Sequence, residues 1–134
     1  MSPEDPLLVV QTYLHTRNSD LFALDAEFRF MSQSEPLCGR QAIDVVLRMF
    51  YQEMFSEVRL EPHILYATDK GIVAEFTFCG KNTGPLMGTL PTGKEVAIPM
   101  IGVYEVGGAH ITRARLYYDT YLVARQLGLF TELW

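Results

Sequence analysis

Pro91–Gly128 reads PTGKEVAIPMIGVYEVGGAHITRARLYYDTYLVARQLG, and its punctuation decides the fold. Val96 to Val106 is apolar at nearly every position and rich in β-branched residues, the pattern of a strand covered on both faces. A helix of that length is opposed by Pro99 and Gly102, each unfavourable in a helix interior. Gly107-Gly108 supplies a tight hairpin turn. His110 to Tyr118 then alternates. Ala114, Leu116 and Tyr118 share one face and are expected to line an interior; Arg113, Arg115 and Tyr117 share the other, toward solvent or a partner. Asp119 follows as an N-cap for a helix over Thr120–Leu127, which Gly128 stops.

Upstream, Lys81–Gly93 is glycine- and proline-rich and reads as a long loop or interrupted strand edge. Val58–Thr68 and Ile72–Cys79 read as strands joined by a hairpin at Asp69-Lys70-Gly71. Gln41–Met54 has helical spacing, with Ile43, Val46, Leu47, Phe50 and Met54 inward and Asp44, Arg48 and Gln52 outward. Gln33–Gly39 is a turn-rich connection. Phe28–Met31 reads as a short strand, and Leu21–Ala26 as a short helix capped by Asn18-Ser19-Asp20. Ser2-Pro3-Glu4-Asp5 opens a first helix that runs to about Arg17, with Leu7, Val9, Val10, Tyr13 and Leu14 on its apolar side. The tail Leu129–Trp134 is apolar enough to dock.

A chain of 134 residues, 49% hydrophobic, is expected to form one domain over 1–134 with a substantial core. A net charge of −5 with no basic stripe speaks against nucleic-acid binding. No stretch of about 18 apolar residues exists to span a membrane, and MSPEDPLL lacks the pattern of a signal peptide. A cytoplasmic location is the resulting expectation. Cys38 and Cys79 are expected to be packed free thiols. No metal-ligand spacing appears, and no cofactor or metal is expected. Helices come first and long antiparallel strands follow, an α+β order. So few helices cannot cover both faces of the sheet. The strands are expected to curl over an inner cavity, and the outer face of Val96–Val106 to meet a second copy in a homodimer.

Cys79-Gly80-Lys81-Asn82-Thr83-Gly84, Met87-Gly88, Pro91-Thr92-Gly93-Lys94, Tyr118-Asp119 and Gln126-Leu127-Gly128 together resemble the SnoaL-like polyketide cyclase group of the nuclear-transport-factor-2-like (NTF2-like) superfamily. The resemblance implies an α+β cone: a strongly curved antiparallel sheet packed against N-terminal helices around an internal pocket, commonly in a dimer. Members include aldol-type polyketide cyclases; relatives include ketosteroid isomerase and limonene epoxide hydrolase. Fold alone does not fix the activity.

Carried over residue by residue, the resemblance matches Asp119 to the general acid/base of the cyclases. At a pocket rim such a carboxylate can be shifted toward working pH; it can equally be only a helix cap. Tyr13 falls at the position of the oxyanion-donating tyrosine of ketosteroid isomerase, or is a core tyrosine. That enzyme's base falls near Phe30 and its second donor near Met100. The last aspartate of the epoxide hydrolases falls at Leu116, and their Arg-x-Asp pair has no counterpart between Ile72 and Thr89. The expected pocket is apolar, touched by Tyr51, His63, Met100, Tyr104, Leu116 and Tyr118, and suits a hydrophobic small molecule. His63 reads as structural or catalytic, and Glu75 and Glu105 as solvated or buried acids. The functional expectation is a cyclase- or isomerase-like enzyme acting on a polyketide-, steroid- or terpenoid-like substrate. The alternatives are a non-catalytic binding protein for an apolar ligand, or an epoxide-hydrolase-like enzyme with an altered catalytic set.

Overall fold

The computed structural model describes residues 5–86 and 88–129. Expectations that rest on Ser2, Pro3, Glu4, Met87 or the tail from 130 to 134 lie outside the described residues. The first helix, α1 (Pro6–Thr16), is capped by Asp5, and Pro6 takes the first helical position. Asp5 Oδ1 accepts the Leu7 N–H at 3.0 Å, satisfying one amide that the helix itself leaves open. Val9, Val10, Tyr13 and Leu14 of α1 are buried, as the helical spacing indicates.

Leu21–Ala26 is not a helix. A 3-10 turn at Ser19–Leu21 leads directly into strand β1 (Phe22–Phe30). Ala26 and Phe28 are buried while Leu24 and Asp25 are exposed. The register of β1 shifts between Phe22 and Glu27, and such a break hides the period of two from a sequence reading. Strand β2 (Leu37–Cys38) then pairs with β1. The expected helix Gln41–Met54 divides into α2 (Arg40–Arg48) and a π-helical turn, Met49–Met54.

Strands β3 (Phe55–Ala67), β4 (Ile72–Asn82), β5 (Glu95–Gly107) and β6 (His110–Tyr118) follow, and α3 (Thr120–Gln126) closes the described chain. The sheet order is β2-β1-β6-β5-β4-β3. All neighbours are antiparallel except β1 and β6, which run parallel. A parallel pair needs a long crossover, and here most of the chain lies between the two strands. β5–β6 is the hairpin read from the sequence, with the left-handed Gly108 (φ +61°) at its turn.

The inner face carries the core: Ile72, Ala74, Phe76 and Phe78 on β4 oppose Tyr104, Gly102, Met100 and Ile98 on β5. The outer positions of β5 are not covered, since Ala97, Pro99 and Ile101 are exposed. Glu75 and Glu105 both belong to this outer row. Arg113 and Arg115 pair with Glu105 at 3.7 Å and 3.3 Å, and Arg113 also with Glu27 at 3.4 Å.

Pro99 is tolerated in a central strand because β6 ends opposite Met100, one residue short of it. Beyond that point a side chain completes the ladder. Gln126 Oε1 accepts the Ala97 N–H at 2.8 Å, and Gln126 Nε2 donates to the Ala97 carbonyl at 2.9 Å. These bonds lock α3 against the free edge of β5. A left-handed Gly128 (φ +74°) ends α3, with the Gly128 N–H donating to Arg125 O and the Leu129 N–H to Ala124 O. This is the paired bonding of a Schellman motif.

Candidate functional site

A cavity of about 350 Å³ lies between the inner sheet face and the helical segments. Phe78, Ile98 and Leu116 wall it from the sheet, and Phe30 stands at the end of β1. Leu47, Phe50 and Tyr51 close it from the other side. The π-helical turn explains why the adjacent Phe50 and Tyr51 both reach it: i→i+5 bonding widens the helix locally. Phe50 stacks on Phe30 with centroids 5.2 Å apart, and Tyr51 on Phe78 at 5.9 Å, both favourable aromatic separations.

The polar groups on this wall are few and neutral: Ser32, Gln33, Tyr51, Tyr118 and Thr120. Among the described lining residues there is no carboxylate, imidazole, ammonium or guanidinium. Phe30, Met100 and Leu116, the positions where the resemblance puts other enzymes' acids and donors, all line this one cavity.

Tyr51 is half-buried because its ring edges the cavity. Its hydroxyl is pushed up to about 12, chiefly by burial. Tyr13, buried behind it, shares a hydrogen bond with Tyr51, and its own pKa is raised mainly by burial. The Arg17 guanidinium sits 5.8 Å from the centre of the Tyr51 ring. Tyr104 is also buried behind the cavity wall, 6.0 Å from the Tyr13 ring. Its ring folds over Gly102, where a side chain would overlap it. The structure therefore brings Tyr51, Met100, Leu116 and Tyr118 to the cavity and puts Tyr13 and Tyr104 in the layer beneath.

Asp119 and His63 fall elsewhere. They share a second hollow, about 670 Å³, with Glu75, Pro99, Ile101 and Tyr117 of the outer face. His63 is exposed, with Nε2 2.7 Å from Thr77 Oγ1. Asp119 is exposed and caps α3 through Oδ1, which accepts the Tyr121 and Leu122 N–H groups at 2.9 and 3.2 Å. Both bonds fall on one oxygen. Asp119 is absent from the inner wall, yet its chain neighbours Tyr118 and Thr120 are part of it, which puts the acid at the rim.

Several wall residues went unread from the sequence. Gln33 and Thr120 lie in segments read only as a turn and a helix start, and Ser32 falls between the segments read. The loop after β4 brings Leu86 to the cavity, held by the buried Asn82. Asn82 Nδ2 donates to Met54 O and Gly84 O, both at 3.0 Å, and Oδ1 accepts from Thr92 N at 2.8 Å and Thr92 Oγ1 at 3.0 Å.

Residues 10–127 match the SnoaL-like polyketide cyclase family. The chain belongs to this family. Solved structures agree on the fold. A protein designated a SnoaL-like polyketide cyclase, from Jannaschia sp. CCS1, superposes with a TM-score of 0.83 at 13% identity, over 98% of this chain and 100% of that one. IdmH from Streptomyces antibioticus, designated a polyketide cyclase, gives 0.77 at 18% identity, over 93% and 99%. A protein with a ketosteroid isomerase-like fold from Catenulispora acidiphila, solved with trimethylamine, gives 0.74 at 18% identity, over 98% and 100%. No protein among the curated sequences matches this chain. The SnoaL-like chain thus has the expected NTF2-like fold, and its family supports a cyclase-like role in general terms. No helix among its described residues is long and apolar enough to cross a membrane.

Proposed function

We propose that this SnoaL-like protein is a cofactor-independent cyclase that holds the ring-bearing, apolar part of its substrate in the inner cavity. The observation that carries this reading is the wall itself, aromatic and aliphatic throughout and bearing only neutral hydrogen-bonding groups, which is the make-up of a site for a hydrophobic small molecule. Tyr51, backed by Tyr13, donates to a substrate oxygen. Asp119 at the rim is the group placed to move a proton, because its Oδ2 takes no hydrogen bond among the described residues.

The matching chemistry is an intramolecular aldol closure. Asp119 removes a proton from the carbon between two carbonyls. That carbon attacks a further carbonyl of the same molecule, a C–C bond forms, the C=O π bond breaks, and the new alkoxide takes a proton back. Mass is unchanged. A second reading, binding without turnover, is favoured by the absence of any acid among the described residues of the inner wall. Ring-bearing compounds with a 1,3-dicarbonyl unit and a further carbonyl on the same chain, followed by chromatography and mass spectrometry, separate the two. The enzyme reading expects an isomer of equal mass and a loss of about 100-fold or more in Asp119→Asn, with ligand binding kept. A compound bound and returned unchanged supports the binding reading.

We also propose a homodimer through the outer sheet face. The support is the exposed apolar row of Ile64, Tyr66, Ile101 and Tyr117, more than an isolated sheet face ordinarily leaves open.

A further inference from the structure

The inner cavity and the outer hollow have Ser32, Met100, Tyr118 and Thr120 in common. Met100 and Tyr118 are cross-strand partners at the end of β6, and both are half-buried. The parallel pairing of β1 and β6 explains the opening. Parallel neighbours end on the same side of a sheet, so the chain leaves both strands at one rim. Phe30 pairs with Leu116, and the Met31 N–H donates to Leu116 O at 2.9 Å. Ser32 and Thr120, just past the two strand ends, frame the gap.

We infer that Met100 and Tyr118 form a neck between two connected chambers, and that the ligand spans it: a ring body inside, and an arm that passes through to a hydrogen-bond-donating end in the outer hollow. This rests on the ring-binding reading of the inner cavity. Volume supports it. A cavity of about 350 Å³ holds the liquid share of only about a dozen waters and lies at the small end of ligand sites. The adjoining hollow is nearly twice as large.

Polarity supports it as well. Among the described residues the inner wall has no charged group, whereas the hollow is lined by Glu75, Asp119 and His63 and by no lysine or arginine. An amine- or hydroxyl-ended arm is matched there, and a carboxylate- or phosphate-ended arm is repelled. Methionine suits the neck because its unbranched, flexible side chain adapts to what passes. The neck also accounts for the acid's position, since Asp119 stands on the outer side and meets only the part of a ligand that threads through.

The test uses a naphthalene ring body alone, the same ring with a short chain ending in an amine, and the same chain ending in a carboxylate. Affinities are measured by calorimetry for the whole chain and for Met100→Phe and Met100→Ala, each checked for folding by thermal melting. Met100 also lines the inner cavity, so the bare ring's affinity is measured in each protein and serves as that protein's own baseline. The amine-ended arm should add about tenfold in the native chain and in Met100→Ala and nothing in Met100→Phe, and the carboxylate-ended arm should add nothing anywhere. An amine-arm gain that survives Met100→Phe, or no such gain in the native chain, overturns the neck and leaves the ring-binding reading standing. If the bare ring fails to bind, the ring-binding reading itself falls.

Discussion

Asn82 is 1% exposed, and its side chain uses both amide protons and both oxygen lone pairs, the full capacity of an amide. It ties the π-helical turn to the loop that carries Leu86. Asn82→Ala would strand those partners, and a loss of about 3 kcal/mol is expected, seen as a melting point roughly 10 °C lower. An Asn in a glycine- and proline-rich stretch looks like any turn residue, so this role could not be read beforehand; its partners lie 28 and 10 residues away. Tyr13 was easier, because helical spacing put it on the buried side of α1.

The buried phenols make a pH prediction. Burial raises Tyr13, Tyr51 and Tyr104 above the free value of 10.0, Tyr51 to about 12. The fold therefore favours their neutral forms. That contribution is intact below pH 10 and is lost as pH climbs through the folded values. Tyr13, Tyr51 and Tyr104 should ionise only above pH 10, with a fall in melting temperature there. Ionisation of these three near the free value would contradict their burial.

At the scale of elements, α3 depends on Gln126. The amide takes the place of a missing strand beside Ala97, which gives a physical reason for the Gln-Leu-Gly ending. Gln126→Leu should cost about 1–2 kcal/mol and speed amide exchange across 120–127, while exchange in β4 stays slow; uniform protection would argue against the strap. The hairpin β5–β6 was plain in the sequence from Gly107-Gly108, and the faces of β6 from its alternation, whereas β5 is apolar at nearly every position and hid its exposed outer row. The strand β1 was not plain, because a register break and the exposed acid Asp25 interrupt its alternation. The π-helical turn was also hidden. Apolar spacing through Phe50 and Met54 fits an ordinary helix, and only the i→i+5 widening brings Tyr51 to the cavity beside Phe50.

For the whole molecule, the outer face and the inner cavity set separate expectations. Ile101→Lys puts a charge in the exposed apolar row and should shift sedimentation from dimer to monomer without lowering the melting point measured at the same monomer state; a native chain that sediments as a monomer would remove the proposed interface. The cone around a cavity was legible, since inward-facing Leu116 and Tyr118 follow from a period of two. The division of polar groups between two chambers was not. Asp119 and Tyr118 are adjacent in the chain, yet successive residues leave a strand on opposite sides, and only the ending of β6 beside β1 shows which side each one serves.

Methyl NMR of the native chain with the naphthalene ring body tests the central claim most directly. Saturable shifts are expected at Ile98, Met100 and Leu116, with Ile64 and Ile101 of the outer face unmoved. Silence at the inner methyls, or shifts confined to the outer face, would contradict a ligand-holding cavity.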